Sequence, residues 1–85
     1  MNKKEQERME KQELEKRVVE LVRETASMDT ASLHMDLMDD VGLSSIDVMD
    51  LIAKCETIFS VKISARDLRK IYTVQDLADL IEIRQ

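Results

Sequence analysis

Proline is absent from this 85-residue chain, glycine occurs once, and aromatic side chains make up 2% of it. Without proline nothing interrupts a helix, and without glycine or aromatics there is little turn and cross-strand chemistry for hairpins, so the composition predicts an all-α fold. A single cysteine, Cys55, excludes an internal disulfide. No apolar run approaches the roughly 20 residues that span a membrane, so membrane insertion is not expected. The N-terminal stretch is densely charged and lacks the apolar segment of a signal peptide, which makes the cytoplasm the expected location. A chain this short forms one domain and has little room for a deep catalytic cleft; no enzyme is expected.

Charge is abundant, at 36% of residues and a net −5. Residues 1–30 hold 7 basic and 8 acidic side chains, residues 31–60 hold 1 and 6, and residues 61–85 hold 5 and 4. The net charge is therefore that of the middle third. Such a surface repels nucleic-acid phosphates and anionic membranes and draws in proteins with basic faces.

Residues 2–12 are polar except for Met9, after which Leu14, Val18, Leu21 and Val22 recur at helical spacing. This divides the chain into a charged, solvated helical extension or tail over residues 1–13 and a helical domain over 14–85, whose first helix runs to about Thr25. Three later segments share a start signal, a hydroxyl followed three residues on by aspartate: Ser44 and Asp47, Ser64 and Asp67, Thr73 and Asp76. The hydroxyl accepts a first-turn N–H and the acid suits the positive helix end. They predict helices over residues 45–59 and 74–83, with a short turn over 65–70. The long connection from Ala26 to Leu43 must pack down or carry function, with Leu33, Leu37, Met38 and Val41 as its anchors.

On the helix beginning at Ser45, 100° per residue puts Val48, Leu51, Ile52, Cys55 and Phe59 within about 100° of one another, a core face. Ile46, Met49 and Ala53 form a second, opposite stripe, flanked by Asp47, Asp50 and Glu56. Two readings stay open: the long loop covers this stripe, or it is a docking surface, apolar at its centre and ringed by acids. Before the helix, Gly42 suits a turn with positive φ. Of Ser44 and Ser45, residue chemistry alone makes one a helix cap and the other incidental.

The stretch Asp40-Val41-Gly42-Leu43-Ser44-Ser45-Ile46-Asp47 resembles the signature of the acyl carrier protein family: an acid, a hydrophobe, Gly, any residue, then Asp-Ser-Leu-Asp entering the second helix. The similarity continues through Val48 to Phe59, through Val61-Lys62-Ile63, and into Ile71-Tyr72-Thr73-Val74-Gln75-Asp76-Leu77, covering about residues 33–81. The resemblance implies a four-helix bundle with a short third helix and a long loop between helices 1 and 2. It implies 4'-phosphopantetheine, taken covalently from coenzyme A, on Ser45, with Ser44 as competitor because it stands where the family has aspartate. Such a protein holds acyl intermediates as thioesters and presents them to fatty-acid or polyketide-type enzymes. The partners implied are a phosphopantetheinyl transferase and acyl-transferring or synthase enzymes with basic docking surfaces, met by Ile46, Asp47, Met49, Asp50, Ala53 and Glu56 of a monomeric carrier. Lys54, Arg66 and Arg69 depart from the family's acidic pattern.

Alternatives are an aminoacyl carrier of the D-alanyl or peptidyl kind, or an unmodified helical adaptor that binds a partner helix. His34 has no acid–base partner in sequence and reads as a surface or packing residue. Cys55 falls mid-face and reads as a buried thiol. Asp36, Asp39 and Asp40 lack the spacing of a calcium loop, so no metal site is expected. Tyr72 is expected to pack at a helix junction.

Overall fold

The computed structural model describes residues 9–85, and the charged extension expected over residues 1–13 falls mostly outside that range. Four helices follow in order: α1 Lys11–Ala26, α2 Ser45–Phe59, α3 Ala65–Leu68 and α4 Val74–Arg84. The described residues contain no strand, only an isolated bridge between Asp36 and Thr73. The expected starts of α2, α3 and α4 all hold. Ser44, Ser64 and Thr73 each accept the N–H of the aspartate three residues on, whose carboxylate in turn accepts the N–H of the cap. The short turn expected over residues 65–70 is helical over Ala65–Leu68 and continues as turn at Arg69 and Lys70.

Helix α1 packs against both α2 and α4. Its stripe of Leu14, Val18, Leu21 and Val22 is buried, as the spacing predicted. From α2 come Leu51, Ile52, Cys55 and Phe59, and from α4 Val74, Leu77, Ala78 and Ile81, to complete one continuous core. Burial pushes the Cys55 thiol up to about 12, with Glu56 adding to the effect, so it stays protonated and inert. No helix among the described residues is long and apolar enough to cross a membrane.

The connection between α1 and α2 is packed rather than loose. Ala31, Leu37, Val41 and Leu43 are buried and Leu33 and Met35 partly so. Its backbone is tied to the segment entering α4: Leu37 N–H donates to Tyr72 O (2.8 Å), Val74 N–H to Met35 O (3.0 Å) and Gln75 N–H to Leu33 O (2.8 Å). Two expectations fail here. Met38, expected as an anchor, is 52% exposed, and Tyr72, expected in a helix junction, is 64% exposed. The backbone of Tyr72 makes the junction contact instead, and its ring is left at the surface.

Helices α1 and α2 both end on serines in left-handed conformation, Ser27 at φ 52° and Ser60 at φ 54°, positions where glycine avoids the Cβ penalty. Ser60→Gly is therefore expected to stabilise the fold by about 1 kcal/mol in urea unfolding. The carboxyls of Asp67 and Asp76 lie below their ordinary value of 3.8, held down chiefly by the backbone N–H groups of Ser64 and Thr73, with Tyr72 N–H adding at Asp76 and Arg84 at Asp67. Their stabilising contribution is thus complete above the ordinary value and is lost as the pH falls through the depressed ones. Thermal melts across the acid range should show the acid-side loss of stability flattened in Asp76→Asn.

Candidate functional site

The approach to α2 is built from a chain of short-range hydrogen bonds. Asp36 carboxylate oxygen Oδ1 accepts the N–H groups of Met38 (2.9 Å) and Asp39 (2.8 Å), and Asp40 Oδ2 accepts Asp36 N–H (2.8 Å). These acids shape the turn and form no metal-binding group among the described residues. Leu43 N–H then reaches Leu37 O at 3.0 Å. Gly42 between them adopts φ 83°, the positive value expected of the only glycine in the chain.

Ser44 and Ser45, alike in sequence, differ in the structure. Ser44 is the N-cap of α2: its Oγ accepts Asp47 N–H at 3.2 Å, and its own N–H donates to Asp47 Oδ2 at 3.1 Å. Ser45 opens the helix, is exposed, and has a hydroxyl without a hydrogen-bond partner among the described residues. Its backbone N–H and that of Ile46 are first-turn donors likewise without an acceptor there, since Asp47 N–H is taken by Ser44 Oγ and Val48 N–H by Ser44 O. An exposed hydroxyl beside two unspent N–H groups at a positive helix end suits a phosphodiester.

Ser45 also borders a groove of about 250 Å³. Its walls are Leu37 and Met38 from the long connection, Val48 and Met49 from α2, and Leu68, Ile71 and Tyr72 from α3 and the segment after it, with Asp36 at the edge. Sequence reasoning missed this feature, because the Tyr72 ring and the thioethers of Met38 and Met49 that wall it come from segments far apart in the chain. The exposed side chains of Met38 and Tyr72 thus find their place on its rim.

On the outer face of α2, Ile46 is 79% and Met49 66% exposed, and Ala53 is exposed beside them. The long connection does not cover this stripe. Asp50 is exposed and paired with Lys54 at 3.2 Å. Asp47 and Glu56 are half-buried and spent on backbone: Glu56 Oε2 accepts Ile63 N–H at 2.9 Å and so holds the segment that leads into α3. His34 is exposed, its Nδ1 3.3 Å from Ser32 Oγ, away from the groove lining.

Residues 16–81 match the family model described as "Phosphopantetheine attachment site". The chain is 34% identical over 74 residues to the acyl carrier protein of Thermotoga maritima, covering 85% of this chain and 91% of that protein. It is 30% identical over 76 residues to the acyl carrier protein of Coprothermobacter proteolyticus, covering 87% and 93%. The crystal structure of a Thermotoga maritima acyl carrier protein superposes with a TM-score of 0.73 at 29% identity, covering 89% of this chain and 91% of that one. Fold and match together define a small helical carrier domain of the phosphopantetheine-binding class. The chain belongs to the acyl carrier protein family, and its prosthetic group is covalent 4'-phosphopantetheine.

Removing the capping hydroxyl in Ser44→Ala is expected to cost about 1 kcal/mol in urea unfolding. Ser45→Ala, which removes an exposed hydroxyl with no partner, should shift stability by less than about 0.5 kcal/mol.

Proposed function

We propose that this chain is an acyl carrier whose 4'-phosphopantetheine arm is attached to Ser45 Oγ. When bound, the arm supplies a terminal thiol that holds an acyl group as a thioester. The residues of the chain do the rest. The N–H groups of Ser45 and Ile46 favour the phosphodiester charge, and Ser44 with Asp47 fixes the direction in which the helix end presents it. The groove beside Ser45 offers apolar walls of Leu37, Val48, Met49, Leu68 and Ile71 to an acyl chain. The observation that carries the reading is the inequality of the two serines: one hydroxyl is spent on the cap and the other is exposed and unspent.

The open stripe of Ile46, Met49 and Ala53, with Asp47 and Asp50 beside it, supports docking of a phosphopantetheinyl transferase and of acyl-transferring or synthase enzymes through basic surfaces. In this reading the chain delivers cargo and leaves bond-making to those enzymes, in the cytoplasm where coenzyme A and its partners are at hand. Glu56 contributes by holding Ile63 rather than by offering an unspent charge. No finding favours an aminoacyl cargo or an unmodified adaptor.

The test is incubation of the full chain with coenzyme A and a broad-specificity phosphopantetheinyl transferase, followed by intact-mass spectrometry. Wild type and Ser44→Ala should gain one phosphopantetheine, and Ser45→Ala none. Gain in Ser45→Ala with loss in Ser44→Ala would move the acceptor by one residue, and no gain in wild type would end the carrier reading.

A further inference from the structure

Across the groove from Ser45, Val48 and Met49 of α2 stand Leu68, Ile71 and Tyr72, which belong to a basic stretch of chain that the carrier reading does not use. Between Lys62 and Lys70 stand four basic residues, Lys62, Arg66, Arg69 and Lys70, and one acid, Asp67. All four basic side chains are exposed, and none lies within 4.0 Å of a carboxylate among the described residues. The lone acid does not neutralise them. Asp67 accepts Ser64 N–H through Oδ2 (2.9 Å) and Arg84 Nη2 through Oδ1 (2.7 Å), and its side chain is only 12% exposed.

Arg69 continues α3 in right-handed helical conformation, so Arg66 and Arg69 sit three residues apart on one face, with Lys70 next to them. Like charges at that spacing repel and cost stability, and no acid stands three or four residues from Arg66 or Arg69 to relieve them. The groove joins this segment to the arm: Leu68, Ile71 and Tyr72, which bracket Arg69 and Lys70 in sequence, wall the same groove that Ser45 borders. A protein that reaches the groove beside Ser45 therefore approaches both α2, which carries Asp47 and Asp50, and the segment that carries Arg66, Arg69 and Lys70. Both patches lie within a molecule 27 × 18 Å in its two shorter dimensions. Screening at physiological salt acts over about 8 Å, so a docked partner reads the charge local to its contact rather than the net charge of the molecule.

From this we infer that the basic segment Lys62–Lys70 is the second half of a bipolar docking surface, whose occupant is a partner enzyme bearing an acidic patch opposite α3 as well as a basic one opposite α2. The inference rests on the carrier reading for the identity of the partner as an acyl-loading or acyl-transferring enzyme. Charge complementarity then selects among such enzymes, because one with a uniformly basic face would be repelled at α3.

Two measurements on the full-length chain test it. The first needs no partner: a ten-residue glutamate peptide is titrated into labelled protein and amide shifts are followed by NMR. Shifts are expected at residues 62–70 and not along α1, where bases alternate with acids. Absence of shifts at 62–70, or shifts spread equally over α1, would overturn the patch. The second measures association of the phosphopantetheine-bearing chain with an acyl-loading enzyme that is first shown to charge its thiol, at low and high salt. Arg66→Glu/Arg69→Glu, checked for folding by circular dichroism, should slow association about tenfold or more at low salt and approach wild type at high salt. Association as fast as or faster than wild type would contradict the inference, as would salt-sensitive dimerisation of wild type that the double variant abolishes, which would make a second copy of the chain the occupant. The double variant keeps Ser45, so phosphopantetheine gain is unaffected by failure of the patch; loss of that gain in wild type marks failure of the carrier reading instead.

Discussion

The N–H of Ser44 is satisfied by the side chain of Asp47 and the N–H of Asp47 by the side chain of Ser44, and this exchange decides which of two adjacent serines is left free. Once Ser44 is the cap, Ser45 becomes the first residue of α2, its hydroxyl projects from the helix end, and two N–H donors remain beside it. The same exchange sets the phase of the helix. With Ser45 first, Leu51, Ile52, Cys55 and Phe59 turn into the core while Ile46, Met49 and Ala53 turn out. A slip of one residue would rotate the helix by about 100° and bury neither face properly.

The connection from Ser27 to Ser44 holds this helix start in place. It is long, but its backbone bonds to Tyr72, Val74 and Gln75 and its buried Ala31, Leu37, Val41 and Leu43 make it a structural element in its own right. Because the bonds run to Tyr72 and the first residues of α4, the connection also brings Met38 close to Leu68, Ile71 and Tyr72. The groove beside Ser45 thus follows from the same contacts that anchor the loop. The groove and the exposed start of α2 are consequences of one local arrangement.

Much of this was legible in the sequence because its signals are local. Hydroxyl and aspartate three residues apart give all three helix starts, since a capping box is made within a single turn. The spacing of Leu14, Val18, Leu21 and Val22 gives the buried face of α1, and Gly42 its turn. What stayed hidden depends on contacts between distant segments. Met38 and Tyr72 look like core residues by type, yet the backbone bond from Leu37 N–H to Tyr72 O fixes the chain so that their side chains emerge at the surface. Glu56 looks like a free acid on a docking face and is spent on Ile63 N–H seven residues away. The serines at the ends of α1 and α2 carry no local sign that they adopt positive φ, because glycine is the usual marker and is absent there. Residue chemistry leaves the choice between Ser44 and Ser45 open, register with the family favours Ser45 with Ser44 as competitor, and the cap geometry adds a physical reason for the proposed acceptor.

The central claim is that the cap leaves Ser45 as the acceptor. Tandem mass spectrometry of the phosphopantetheine-bearing wild-type chain tests it most directly, by locating the phosphodiester within the peptide that contains both serines. The account predicts that fragment ions carry the arm on Ser45 alone; fragments carrying it on Ser44 would contradict it.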